Sequence, residues 1–255
     1  MLEINNLSCG YHGFDVIHGI CLRANRGEVL TLAGPNGCGK TTLLKAMARI
    51  IPRRGSVTLD GRDISAFSRK NLAQKIAFLG QMPQIHFPYT VYDTAALGRY
   101  AHAKGFLKSL SKGDREFIMN ILHSLGLSGE KDRMINELSG GQFQRVFLAR
   151  TLAQDPDVIL LDEPTNHLDL KYQVELLGRL KTWTREHNKI LIGVLHDLNL
   201  AFRFSDAAAL MEDGRLKALG RPETVLKGKT LREMYGMDVR GFMLESLESW
   251  RNTDA

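Results

Sequence analysis

Hydrophobic and polar positions alternate over Leu2 to Leu7 and again over Val16 to Arg23, and this period of two predicts two short strands. The run Val29-Leu30-Thr31-Leu32-Ala33 is almost wholly apolar, as a strand covered on both faces would be. From Lys40 to Ile50 the spacing turns helical. Leu43, Leu44, Met47 and Ile50 share one side, and Pro52 and Gly55 mark the end. Strands are expected at Ser56 to Asp60 and Ile76 to Gly80, after which Pro83 and Pro88 interrupt the pattern. Residues 86–135 then read as helices, one over Val91 to Ala103 and a second opening at Ser111, where Ser111 and Asp114 have capping-box spacing. Beyond Asn136 the strand–helix alternation resumes, with strands at Val158 to Asp162 and Ile190 to Leu195. That is the pattern of an α/β fold with a mainly parallel sheet. Ala207 to Met211 and Leu216 to Leu219 flank Glu212-Asp213-Gly214, a hairpin signal. The expected organisation is a core of residues 1–85 and 136–255, interrupted by a helical subdomain at 86–135.

Composition narrows the class. Hydrophobic residues make up 44% and charged residues 24% of 255, ordinary globular usage. No apolar run approaches the roughly 18 residues of a membrane span, so attachment to a membrane would need a partner. The N-terminal residues lack the basic and apolar regions of an export signal. Cys9, Cys21 and Cys38 show neither paired nor metal-ligand spacing, which fits a reducing cytoplasm. A net charge of +6 is compatible with phosphates, nucleic acid or an anionic surface and singles out none of them.

The candidate chemistry sits at strand ends. Gly34-Pro35-Asn36-Gly37-Cys38-Gly39-Lys40-Thr41 fits G-x-x-x-x-G-K-[ST] between an apolar strand and a helix, the context a phosphate loop requires. Its glycines let backbone N–H groups converge on one anion, with Thr42 next in the helix. Lys40 reaches β- and γ-phosphates, and the Thr41 hydroxyl can ligate Mg²⁺. At the start of this helix Cys38, close to Lys40, is expected to favour a thiolate open to maleimide. The strand Val158 to Asp162 ends in Asp162-Glu163. Adjacent strand residues point in opposite directions, so different duties are expected: Asp162 near Mg²⁺ and Glu163 near an attacking water. Ser139-Gly140-Gly141-Gln142 opens another helix, with Ser139 as N-cap and two glycines exposing backbone donors, a second anion site. One phosphate loop with two anion-binding devices suits two chains that sandwich each nucleotide.

These motifs, in this order and over nearly the whole length, resemble the ATPases of ABC transporters. The resemblance implies a phosphate-loop core with an N-terminal antiparallel β subdomain, ATP and Mg²⁺ as ligands, a homodimer and transmembrane permease subunits. It also implies a peripheral place on the cytoplasmic face of the membrane and an extracytoplasmic binding protein as indirect partner; nucleic acid is not expected. It makes Tyr11 the residue that stacks on adenine, Gln81 a glutamine that contacts Mg²⁺ and senses the transporter, and Asp169 part of the loop joining the two sites. It makes His196 a contact of the γ-phosphate and, with Lys40, Gln81 and Glu163, part of the catalytic set. Leu97-Gly98-Arg99-Tyr100-Ala101-His102, Thr165 to Leu170 and Val194 to Ala201 resemble the importers of iron-siderophore, haem and cobalamin complexes in particular, with Ala101 where a proline is usual. Soluble ABC ATPases of iron–sulfur cluster assembly, translation or DNA ends fit less well. The chain has one ATPase domain, no heptad insertion, and Gln142 at the end of the signature.

Overall fold

The computed structural model describes residues 1–80, 88–102, 109–166, 168–226 and 228–251. β1 (Leu2–Tyr11) and β2 (Phe14–Ala24) form one antiparallel hairpin that turns at His12 and Gly13, both at positive φ. Both strands outrun the alternating segments, because pairs such as Tyr11 with Phe14 and Gly10 with Asp15 extend the ladder to the turn. β3 (Val29–Ala33) leads into α1 (Lys40–Met47), followed by β4 (Arg53–Leu59), β5 (Arg62–Asp63), α2 (Arg69–Ala73) and β6 (Ile76–Leu79). β4 starts three residues before the expected Ser56, since Arg53 and Arg54 pair with Cys9 and Ser8 of β1.

α3 (Val91–Ala96) stops short of the expected Ala103 and tightens into a 3-10 turn at Leu97–Ala101. Gly98 lies in that turn against α5, so close that a Cβ there would fall 2.1 Å from the Arg150 carbonyl oxygen. Residues 103–108 are outside the described residues. α4 (Lys112–Ser124), α5 (Gly140–Ala153), β7 (Val158–Asp162), α6 (Leu170–Glu186), β8 (Ile190–Val194) and α7 (Leu198–Phe204) complete the middle of the chain. β9 (Ala207–Glu212), β10 (Arg215–Gly220), α8 (Pro222–Val225), α9 (Gly228–Tyr235) and α10 (Val239–Arg251) end it.

Two sheets carry these elements. The N-terminal one is antiparallel in the order β2-β1-β4-β5; the other runs β10-β9-β3-β8-β7-β6, parallel except for β10. Every residue of β3, β7 and β8 is buried, which explains their continuous apolar runs. Alternate residues of β7 enter different cores. Val158 and Leu160 join the cluster between the two sheets, with Leu2, Ile17 and Leu43. Ile159 and Leu161 join the cluster under the helices, with Val91, Ile118 and Phe147. Burying each such Leu or Ile contributes about 1.5–3 kcal/mol. Side-chain capping boxes start α3 at Thr90, α4 at Ser111 and α5 at Ser139, each with its partner three residues on.

Candidate active site

Parallel registry sets the site. Leu32 and Asp162 both pair with Val194, and Leu79 pairs with Leu161, so the chain leaves β3, β6, β7 and β8 at one edge of the sheet. The loop from β3 to α1 is held by backbone packing. Gly34 has φ 148° and lies under Met211, where a Cβ would come 2.1 Å from the carbonyl oxygen. Gly39, at φ 99°, starts α1 with no side-chain cap. The amide N–H groups of the first helical turn have no intrahelical acceptor, and the helix dipole adds positive potential there. The Lys40 side chain is buried and folds back along the loop, where Nζ donates to the carbonyl oxygens of Gly34 and Pro35, each at 2.8 Å. Asn36 and Gly37 are exposed at the loop crest, while Thr42 is buried inside the helix.

Cys38 departs from the expectation drawn from its neighbours. It is 5% exposed and packs into the core between the sheets, with Lys40 Nζ 3.7 Å from Sγ. Because α1 begins at Lys40, the thiol turns inward beneath the loop and does not project at the helix end, so a ready reaction with maleimide is no longer expected.

The two acids at the end of β7 have separate surroundings. Asp162 is 4% exposed; Oδ1 accepts a 3.0 Å hydrogen bond from Thr41 Oγ1, and the buried Oδ2 has no partner among the described residues. Burial pushes its carboxyl above the ordinary value and the Glu163 charge adds to this, while the Thr41 hydroxyl, Lys45 and Lys40 pull the other way. Glu163 has left the strand and sits at φ 56°. The turn, as much as strand alternation, therefore separates the two carboxyls. His196 Nε2 contacts Glu163 Oε1, and Asn166 Nδ2 donates to Oε2, so both carboxylate oxygens are engaged. Asn166 was missed as a site residue by sequence reasoning; its one signal was the three-residue spacing from Glu163, a common reach for a turn side chain.

The remaining candidates lie apart. Ser139 is exposed and caps α5: its Oγ accepts from Gln142 N at 3.3 Å, and Gln142 Oε1 accepts from Ser139 N at 3.0 Å. Gly140 is exposed and Gly141 partly so. Among the described residues no hydrogen bond or ion pair links this segment to the Gly34–Thr41 loop or to Glu163. Asp169 is the N-cap of α6, accepting from Tyr172 N at 3.0 Å. Tyr11 is 41% exposed at the tip of the β1–β2 hairpin. Gln81 lies outside the described residues.

A glycine loop with a buried lysine between β3 and α1, facing a carboxyl pair at the end of a parallel strand, defines a P-loop nucleotide-binding α/β domain. The family described as ABC transporter matches residues 17–166, more than half of the chain. Petrobactin import ATP-binding protein FpuD of Bacillus anthracis is 38% identical over 238 residues, which cover 93% of this chain and 87% of that protein. Hemin import ATP-binding protein HmuV of Jannaschia sp. is 39% identical over 244 residues, covering 92% and 87%. The solved ADP conformation of MJ1267, an ATP-binding cassette of an ABC transporter, superposes with a TM-score of 0.82 at 25% identity, covering 93% of this chain and 99% of that one. The chain thus belongs to the ABC transporter family and is similar along almost its whole length to that family's ATP-binding proteins.

Proposed function

We propose that this chain hydrolyses ATP to power an importer of metal chelates of the siderophore or haem type. Two copies would work beneath transmembrane permease subunits on the cytoplasmic face, with cargo delivered by an extracytoplasmic binding protein. The chain's similarity over most of its length to import ATP-binding proteins for petrobactin and hemin supports the cargo class. No helix among the described residues is long and apolar enough to cross a membrane, so the transmembrane path is assigned to partners.

The observation that carries the hydrolytic reading is the pairing of Thr41 with Asp162 beside a clamped Glu163. The buried Oδ2 of Asp162, without a partner among the described residues, is an acceptor next to a hydroxyl, a donor set suited to a hard cation. Thr41 and Asp162, with Gln81 by resemblance, would hold Mg²⁺, which when bound offsets charge on the phosphates. The loop Gly34–Thr41 cradles the phosphates through backbone N–H groups, and Lys40 exchanges its loop carbonyls for phosphate oxygens. Tyr11 stacks on the adenine. Glu163 orients the attacking water and takes its proton, while His196 holds the carboxylate and reaches the γ-phosphate. Ser139 to Gln142 of the second copy close the site from the other side, and Asp169 lies on the connection between the two sites.

The decisive experiment is co-purification from membranes with the permease, followed by ATPase assay in vesicles. Stimulation by a binding protein loaded with ferric siderophore or hemin is the expected result. A chain recovered only in soluble complexes, or ATP turnover indifferent to every such cargo, would refute the importer assignment.

A further inference from the structure

Gln144 is 6% exposed, inside α5 and two residues beyond the Ser139–Gln142 segment. Its Nε2 donates to the carbonyl oxygen of Pro164, the residue that follows Glu163, and its Oε1 is buried with no partner among the described residues. The opposite amide orientation would set Oε1 against the Pro164 oxygen, two acceptors with no proton between them, so the donor role is fixed. A polar side chain buried at the cost of one unsatisfied acceptor needs a reason, and packing alone would be met by Leu or Met.

The loop that Gln144 grips is held carbonyl by carbonyl. Asn166 N donates to Glu163 O at 3.3 Å, and Leu168 N donates to Thr165 O at 3.3 Å. Gln173 Nε2 donates to Thr165 O at 3.2 Å and to Leu168 O at 2.9 Å. Among these clamps, Gln144 alone comes from α5. A second contact runs the same way: a Cβ on Gly141 would meet Leu168 Cδ2 at 3.1 Å.

We propose that Gln144 is a positioning residue through which α5, the helix opened by Ser139, sets the placement of Glu163 in the same chain. This rests on the reading of Glu163 as catalytic base and Ser139 to Gln142 as the face that closes on the other copy's nucleotide. On that reading Gln144 ties a chain's contact with one nucleotide to its own carboxylate at the other. A shift of α5 moves the Pro164 carbonyl and with it the turn that aims Glu163.

The test is steady-state ATPase of the full chain carrying Gln144→Leu or Gln144→Glu, with Glu163→Gln in parallel. Gln144→Leu is expected to lower kcat about 10- to 100-fold, the effect of a misplaced base, with KM for ATP within about twofold. Gln144→Glu supplies its own control. A buried carboxyl has a raised pKa, and once protonated its O–H can donate to Pro164 O, whereas the carboxylate cannot. The ratio of its kcat to that of the parent is expected to rise as pH falls from about 8 to about 6. The Gln144→Leu ratio stays low and flat. Parental kcat in both variants, or a flat ratio for Gln144→Glu, overturns the inference, even if Gln144→Leu fails to fold. Turnover retained in Glu163→Gln sinks instead the reading on which the inference rests.

Discussion

Thr41 Oγ1 donates to Asp162 Oδ1 at 3.0 Å, joining the first turn of α1 to the end of β7 across 121 residues of sequence. The other oxygen of the same carboxylate is buried without a partner among the described residues. Asp162→Ala should remove the cation site while leaving the phosphate loop. Calorimetric titration with ATP, in Mg²⁺ and again in EDTA, should show a Mg²⁺-dependent gain in affinity for the parent and none for the variant. An equal gain in both would take Asp162 out of the site.

Glu163→Gln keeps the contacts to His196 and Asn166 in shape but cannot accept a proton. Turnover is expected to fall by about 10² to 10⁴, the usual contribution of a positioned acid–base group. ATP binding should persist, and a dimer trapped by ATP should appear in size-exclusion chromatography. Unchanged kcat would remove Glu163 from the role of base.

The thiols should separate cleanly by burial. Cys21 is exposed, whereas Cys9 and Cys38 are buried, and burial pushes the Cys9 thiol up to about 11 with help from Asp15. Maleimide on the native chain should modify Cys21 and spare the other two until denaturant is added, as read by mass spectrometry of peptides. Fast labelling of Cys38 in the native chain, suppressed by ATP, would restore the reactive thiolate that its sequence context suggests.

Asp60 binds the N-terminal amine of Met1 and the Arg26 guanidinium, and the Arg26 hydrogen bond leads in lowering its carboxyl from 3.8 to about 2. A depressed carboxyl stabilises the fold above its unfolded value and loses that contribution as pH falls through the folded one. The side chain is 49% exposed, so solvent screening leaves about 1 kcal/mol at most. Asp60→Asn should lower Tm slightly at neutral pH, and the gap to the parent should close as pH drops from about 4 towards about 2. A gap independent of pH would assign the effect to packing.

Much of this was legible beforehand because local rules wrote it. The apolar runs of β3, β7 and β8, the glycine–lysine loop and the Ser111 and Ser139 caps depend on side chains within a few residues of one another, and each formed where expected. The early start of β4 at Arg53 and the tightened end of α3 at Gly98 were not legible. Their causes, β1 in one case and the Arg150 carbonyl in the other, lie about 45 to 52 residues away along the chain.

The site divides along the same line. Sequence alone nominated the residues proposed to carry the chemistry: Lys40, Thr41, Asp162, Glu163 and the segment at Ser139 through motif spacing, which reflects the turn or helix that presents them, and His196 through the family resemblance. Tertiary structure alone decided which of them meet. It brought His196 and Asn166 onto Glu163, set Asp162 beside Thr41, turned Cys38 inward and put Gln144 against Pro164. The physical reason is registry. Parallel strands align their ends only after two cores have packed on both faces of one sheet, and no local pattern states that alignment.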